Sequence, residues 1–154
     1  MKHDVLVRAI TEITNRLPYS RYIWALTGGA SMQLQGLSHD AQDIDILASP
    51  QFSEAASREL SPQVVFPLQR TRMQNIESLY SRFIMEGVSV DVMVDVSNRG
   101  SDGIWRSHTE WVNHICQYHL GSINIPVLSL SYEMEISTML GLEKKIKMLL
   151  EFDR

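Results

Sequence analysis

Residues 26–47 read LTGGASMQLQGLSHDAQDIDIL, and the prediction of the fold starts from this stretch. RYIWALT (21–27) leads into it, and this segment is short, apolar and rich in aromatic and strand-forming residues. Two glycines follow, and ASMQLQGL (30–37) has the pattern of a short helix. The predicted order is therefore a strand, a glycine turn and a helix.

A second strand is predicted at the end of the stretch, and it carries two acidic residues. In DIDILAS (43–49), Asp43 and Asp45 alternate with isoleucines, and successive side chains of a strand point to opposite faces. Both carboxylates therefore share one face, while the isoleucines belong to the core. Two such charges repel unless a cation or a proton separates them, so a divalent metal is the simplest explanation.

A third acid lies on a later strand. In VSVDVMVDV (88–96), Asp91 lies on the face opposite to the alternating valines. SLYSRFIMEG (78–87) precedes this strand, and the two segments predict a hairpin that turns at Glu86-Gly87. We expect antiparallel pairing with the first acidic strand to bring Asp91 to the other two acids.

The glycine turn has the composition of a phosphate-binding turn. Gly28 and Gly29 let backbone N–H groups approach an anion closely, the start of a helix adds positive potential, and Ser31 offers a hydroxyl. The alternative is that the glycines serve only the backbone geometry of the turn. Three carboxylates beside such a turn form a site for Mg²⁺ and a nucleoside triphosphate.

These residues resemble the signature of the DNA polymerase beta-like nucleotidyltransferase superfamily. Within it, the sequence is similar to small bacterial nucleotidyltransferase-like proteins, which include the abortive-infection toxin group and the minimal and antibiotic-modifying nucleotidyltransferases. The resemblance implies an α/β (α+β) fold with a mixed sheet, flanking helices and a C-terminal helix. It also implies transfer of a nucleoside monophosphate from a triphosphate to an acceptor, with Mg²⁺, or alternatively Mn²⁺, as cofactor.

The resemblance also assigns the site residues. Gly28, Gly29 and Ser31 would hold the triphosphate, Asp43 and Asp45 would bind metal, and Asp91 would be the third acid. In the enzyme hypothesis, Asp91 shares a second metal ion and acts as the general base, either directly or through that metal. Many relatives carry an Arg and a Thr or Ser shortly before the Asp-x-Asp pair, where this chain has His39 and Ala41. In the segment GLEKKIKML (141–149), three lysines have no partner Asp.

Other charged residues have two interpretations each. Arg70, Arg72 and Arg82 are candidate triphosphate partners or ordinary surface residues. Glu133 and Glu135 are candidate bases, but acids at the start of a helix are favoured by its dipole, and we prefer that explanation. His39 is expected in solvent, and the histidines of residues 108–119 are expected to be ordinary surface or packed side chains.

The remaining elements are predicted from periodicity and turn residues. A first helix over residues 5–17 should end at Pro18, and a capped helix should cover 49–60. The predictions for the other segments are a strand over 63–71 interrupted by Pro67, partly helical structure over 104–120, an extended piece over 123–130 and one amphipathic helix over 131–152.

Composition limits the class of protein. The 154 residues fit a single domain over 1–154, and the one cysteine, Cys116, excludes an internal disulfide and favours a reducing, cytoplasmic location. We expect no secretion signal and no membrane span. The net charge of −4, with no Lys/Arg-rich run, argues against general nucleic-acid binding.

Two functions follow as hypotheses. The first is an enzyme that uses a nucleoside triphosphate and an unidentified acceptor, which is a small molecule, a protein or an RNA. The second is a nucleotidyltransferase-like domain with little or no catalysis that binds a protein partner, as in a toxin–antitoxin pair, or forms a homo-oligomer.

Overall fold

The protein is described by a computed structural model that covers residues 1–152. Five α-helices flank a sheet of eight strands. The helices are α1 His3–Arg16, α2 Gly28–Leu34, α3 Pro50–Glu59, α4 Leu130–Leu140 and α5 Glu143–Phe152. The strands are β1 Trp24–Thr27, β2 Ile44–Ala48, β3 Val64–Met73, β4 Ile76–Met85, β5 Val88–Arg99, β6 Trp105–Ser107, β7 Ile115–Leu120 and β8 Ile123–Leu128.

The sheet is mixed, which confirms the predicted fold class. Its strand order is β3-β4-β5-β2-β1-β8-β7, and β6 pairs with β5 beside this path. The expected strand–turn–helix is present as β1 and α2, and β4 and β5 form the expected hairpin. β2 and β5 are neighbours, so the two acidic strands lie next to each other.

The expected antiparallel pairing of the acidic strands is wrong, because β2 and β5 run parallel. Helix α3 returns the chain to the other end of the sheet after β2, as parallel strands require. β3, β4 and β5 then alternate in direction, so β5 runs in the same direction as β2. Side chains at paired positions of neighbouring strands still share a face, and Asp45 is paired with Asp91.

The two faces of the sheet differ in what covers them. On one face, isoleucines of β2 and valines of β5 pack with α1 and α3 into the main core. The opposite face carries Asp45 and Leu47, and Leu47 packs there with Tyr132 and Ile136 of α4. Leu149 of α5 packs with Met32 of α2 in a separate, smaller cluster.

Two segments in the C-terminal third differ from the prediction. Residues 104–120 form two strands, and their helical content is limited to a 3₁₀ turn at Glu110–His114, because pairing of β7 with β8 provides the backbone hydrogen bonds. The single predicted helix over 131–152 is two helices. Gly141 separates them in the left-handed region at φ 69°, a conformation that glycine adopts without strain.

The other predicted helices and strands are confirmed with small shifts of their ends. Ser49 caps α3 by accepting a hydrogen bond from the Phe52 N–H at 3.2 Å. β3 lies at the edge of the sheet, and its pairing with β4 is irregular around Pro67, which has no N–H to donate. No helix within residues 1–152 is long and apolar enough to cross a membrane.

Candidate active site

Gly28 begins α2 directly opposite the acidic strand. Thr27, the last residue of β1, is paired with Asp45 of β2. Gly28 has φ 65°, and a Cβ on it would lie 3.1 Å from Oδ2 of Asp45. Any larger residue would therefore be strained and would crowd the carboxylate. The glycine lets the backbone approach this acid closely.

Gly29 is crowded from another side. A Cβ on Gly29 would lie 2.5 Å from Nε2 of His39, so His39 packs against the turn instead of lying in open solvent. Ser31 is fully buried, and its hydroxyl accepts a hydrogen bond from the Gln35 side chain at 3.1 Å. The hydroxyl of Ser31 is thus directed within α2 in this structure, and its proposed contact with a triphosphate stays a prediction.

Asp45 is the most strongly perturbed carboxyl group of the site. Its pKa rises to about 7, mainly because the group is buried and in addition because the negative charges of Asp91 and Asp43 lie nearby. The positive charge of Lys145 lowers this pKa, whereas the negative charge of Glu133 adds to the rise. A proton or a bound cation near this group would relieve the repulsion.

Asp91 has its charge balanced by the protein itself. Arg82 donates two hydrogen bonds to it, from Nε to Oδ1 at 2.7 Å and from Nη2 to Oδ2 at 3.0 Å. The Tyr80 hydroxyl donates a third to Oδ1 at 2.6 Å. The pKa of Tyr80 rises to about 12, because the group is partly buried and donates to a carboxylate. Three donated hydrogen bonds therefore fix the orientation of the Asp91 carboxyl group.

Asp43 precedes β2 and is partly exposed. It lies close enough to Asp45 for its charge to raise the pKa of that group. In this arrangement, no group of three or more His, Cys, Asp or Glu side chains within residues 1–152 is positioned to hold a metal ion. Mg²⁺ in nucleotide sites uses one or two carboxylates with phosphate oxygens and water, so Asp43 and Asp45 fit that requirement.

Glu133 on α4 is a site residue, although the helix-start explanation was preferred for it from the sequence. It is 3% exposed, and its Oε1 accepts hydrogen bonds from the Gly28 N–H at 3.0 Å and the Thr27 hydroxyl at 2.6 Å. The helix cap is provided by Ser129, which accepts from the Tyr132 N–H at 3.2 Å. The sequence signals an acid near a helix start, but it carries no sign of the contact with residues about a hundred positions earlier.

Positive charge reaches the glycine turn from α5. The Lys145 ammonium lies 4.0 Å from Oε2 of Glu133. An open depression of about 330 Å³ is lined by Gly29, His39, Lys144 and Lys145, among other residues. Two of the three lysines of segment 141–149, Lys144 and Lys145, thus lie beside the phosphate-binding turn predicted from the sequence.

Two of the three candidate arginines are engaged elsewhere. Arg70 lies 3.3 Å from Glu77, and Arg72 stacks over the Trp105 ring at 4.6 Å. Only Arg82 contacts a predicted site residue among the three. The structure therefore brings Asp45, Asp91, Gly28 and Gly29 together, with Asp43 at the edge, and adds Glu133, Lys144 and Lys145 from the C-terminal helices.

Solved structures of nucleotidyltransferases share this fold. A Thermotoga maritima protein inferred to be a nucleotidyltransferase is 28% identical and aligns over 99% of this chain and 94% of its own, with a TM-score of 0.81. The lincosamide antibiotic adenylyltransferase LnuA, solved with lincomycin, is 13% identical and covers 97% of this chain and 96% of its own, with a TM-score of 0.59.

A third neighbour is ANT(2″)-Ia, solved with adenylyl-2″-tobramycin. It is 7% identical and covers 99% of this chain and 91% of its own, with a TM-score of 0.54. No curated protein sequence matches the chain closely. The sequence model of the aminoglycoside-2″-adenylyltransferase family matches residues 9–152, a range that includes both acidic strands, the glycine turn and the C-terminal helices. This chain therefore belongs to the aminoglycoside-2″-adenylyltransferase family of nucleotidyltransferases.

Proposed function

We propose that this protein transfers a nucleoside monophosphate, with adenylate as the first candidate, from a nucleoside triphosphate to a hydroxyl group of a small molecule. One observation carries the proposal: Asp45 and Asp91 lie side by side on parallel strands, opposite the glycine turn of α2. The family supports nucleotide transfer, and the adenylyltransferase activity for which the family is named favours adenylate. LnuA and ANT(2″)-Ia were solved with an antibiotic and an adenylylated antibiotic, which favours a small-molecule acceptor.

The phosphates would lie over the glycine turn and the depression beside it. The N–H of Gly28 is donated to Glu133, so Gly28 contributes mainly the close approach to Asp45. Lys144 and Lys145 supply positive charge on the Gly29 side of the turn. In many relatives, an Arg and a Thr or Ser before the Asp-x-Asp pair contact the phosphates. In this chain, the two lysines would replace them in that role.

The metal site of the proposal uses Asp43 and Asp45, with Asp91 as the adjoining third acid. The raised pKa of Asp45 shows that the folded chain disfavours a bare carboxylate there, which is the condition that a cation relieves. Bound Mg²⁺, or Mn²⁺, would neutralise phosphate charge and polarise the reacting phosphorus. Phosphate oxygens and water complete the coordination of Mg²⁺ in sites of this kind.

Asp91 would accept the proton of the acceptor hydroxyl. The hydroxyl oxygen then attacks the α-phosphorus in line, the bond from this phosphorus to the bridging oxygen breaks, and pyrophosphate leaves. Arg82 and Tyr80 fix the carboxylate by three hydrogen bonds, so its orientation is set before the acceptor arrives. Glu133 holds the Thr27–Gly28 turn against the acids.

The test is transfer of label from nucleoside triphosphates in the presence of Mg²⁺ and a pool of hydroxylated small molecules. We expect pyrophosphate release that requires both an acceptor and Asp45. Asp45→Asn should lower it strongly, whereas Asp95→Asn is the matched control, because Asp95 is an exposed acid on β5.

A negative result would favour the second hypothesis drawn from the sequence, a protein-binding domain with little or no catalysis. That result is a protein that binds no triphosphate and releases no pyrophosphate with any acceptor. It would favour a domain that binds a protein partner without catalysis, as in a toxin–antitoxin pair. Equal rates of pyrophosphate release for the wild type and Asp45→Asn would show that the acids of β2 and β5 do not take part in the reaction, and would contradict the proposal.

A further inference from the structure

A cavity of about 170 Å³ opens next to the acidic strands, on the face covered by α4. Part of its wall is formed by Leu47 and Met93, which are paired with each other and follow Asp45 and Asp91 by two positions. Asp95 has φ 53° and the pairing of β4 with β5 shifts register nearby, so the strand bulges and Val96 also lines the cavity. The cavity thus lies along β2 and β5, on the C-terminal side of Asp45 and Asp91.

The charges of this cavity are confined to one end. Three lining side chains are charged, namely Asp45, Glu133 and Lys145, and all three belong to the site beside Gly28. Most of the remaining wall is apolar and includes Trp111 and Ile136. An ammonium group placed along this wall would lose its hydration without gaining a carboxylate partner, which is costly.

The polar groups away from the acids are neutral. Asn98 and His108 line the cavity. Burial lowers the pKa of His108, so its imidazole is uncharged near neutral pH. Its Nε2 is buried and has no hydrogen-bond partner within residues 1–152. A buried ring nitrogen without a partner is costly, and a ligand atom that pairs with it would gain both affinity and orientation.

We propose that this cavity binds an uncharged ring, aromatic or aliphatic, of the acceptor, with the acceptor hydroxyl directed toward Asp91. The inference rests on the proposed function, since it assigns the acceptor side of that site. The volume suits one six-membered ring, because a cavity of about 150 Å³ holds benzene. A polycationic aminoglycoside body does not match the apolar wall.

The acceptor is favoured over the nucleobase as the occupant. Phosphates are placed on the other side of the turn, where Gly29, His39 and Lys144 line the open depression. Lys145 lines both spaces and lies between them. Met93 and Val96, which follow the proposed base Asp91 on β5, line the cavity, so an acceptor hydroxyl directed toward Asp91 would place its ring there.

The first experiment measures binding of a ring probe independently of catalysis. Benzyl alcohol binding is followed by saturation-transfer NMR with the wild type, with Ile136→Trp, which fills the cavity, and with Thr138→Trp. Thr138 is exposed on the same helix and is the matched control. We expect binding to the wild type and the control, and a loss of about tenfold or more in Ile136→Trp.

Val96→Phe repeats the test from the β5 side in case Ile136→Trp does not fold. Benzyl alcohol binding that is unchanged by cavity filling, or absent from the wild type, overturns the inference. Binding of ATP with Mg²⁺ should be the same in Ile136→Trp and the wild type. A parallel loss of ATP affinity would assign the cavity to the nucleobase and also overturn the acceptor assignment.

The second experiment compares acceptors in the transfer assay. We expect tobramycin to be a poorer acceptor than neutral ring-bearing alcohols, and the transfer to these alcohols to fall at least about tenfold in Ile136→Trp. Efficient transfer to tobramycin that is insensitive to cavity filling overturns the inference and leaves the proposed function intact. Ring binding without any triphosphate binding would instead contradict the proposed function alone.

Discussion

Asp45 and Asp91 are paired residues of adjacent strands, yet their surroundings differ. Asp91 is held by an arginine and a tyrosine, so its negative charge is balanced within the protein. Asp45 faces two further carboxylates and has its pKa raised to about 7, with burial as the main cause. One acid therefore has its hydrogen-bond and ion-pair partners within the chain, whereas the repulsion at the other is relieved only by a proton or a bound cation.

The largest expected effect comes from replacing the acid that lacks a partner. Asp45→Asn should lower the rate of nucleotide transfer about 1,000-fold, since a metal ion contributes several kcal/mol to such reactions and each 1.4 kcal/mol is about a factor of ten. Apo stability should not fall. Pyrophosphate release and thermal unfolding of the same preparations check both statements, and a variant that melts lower than the wild type would contradict the comparison.

The pH dependence of stability gives the second prediction. The folded pKa of Asp45 lies above its ordinary value of 3.8, so the folded chain keeps this proton while the unfolded chain loses it. The contribution of Asp45 to the free energy of unfolding therefore decreases as the pH rises from 3.8 to about 7. Above that range, ionising Asp45 in the folded chain costs about 4 kcal/mol of unfolding free energy. An asparagine at this position does not ionise and avoids this cost.

Denaturant unfolding of the wild type and Asp45→Asn over that pH range measures this cost. The variant should match the wild type near the acid end of the range and be more stable above pH 7, by up to about 4 kcal/mol. Mg²⁺ with a nucleoside triphosphate should stabilise the wild type most at the alkaline end, through binding linkage. A stability difference that is constant with pH would contradict the raised pKa.

The third prediction concerns the acid with partners. Asp91→Asn should reduce transfer strongly and, unlike Asp45→Asn, should also cost about 1–3 kcal/mol of unfolding free energy, because Arg82 and Tyr80 lose a charged acceptor. Arg82 is 38% exposed, so solvent limits this loss. The double variant Asp91→Asn/Arg82→Met is the control, and it should recover part of the stability without recovering the activity.

The same comparison separates what the sequence could predict from what it could not. Strand alternation placed Asp45 and Asp91 on one face, and neighbouring parallel pairing preserves that face even though antiparallel pairing was expected. Local signals of this kind, which also include the Gly28 turn and the Glu86-Gly87 hairpin, need only a few consecutive residues. These features were therefore predictable.

The missing parts depend on contacts between distant segments. Glu133 meets Thr27 across 106 residues, and no local pattern distinguishes it from an ordinary acid near a helix start. Lys144 and Lys145 reach Gly29 only because Gly141 breaks the C-terminal helix and turns α5 back over α2. Such placements arise from packing, which a single sequence does not reveal.

The smallest expected effect concerns Glu133, whose carboxylate braces the glycine turn but adds negative charge beside the phosphates. In Glu133→Gln the amide oxygen can still accept from the Gly28 N–H and the Thr27 hydroxyl, while the charge is lost and Lys145 is released from its ion pair. We expect stability to change by less than about 1 kcal/mol and affinity for triphosphate to rise a few-fold.

Glu133→Ala leaves two donors without an acceptor and should cost about 1–3 kcal/mol. Calorimetric titration with ATP and Mg²⁺, alongside unfolding of both variants, separates the two roles. Weaker ATP binding in Glu133→Gln with unchanged stability would mean that the charge itself serves the nucleotide, as a further ligand for the cation that Asp45 requires.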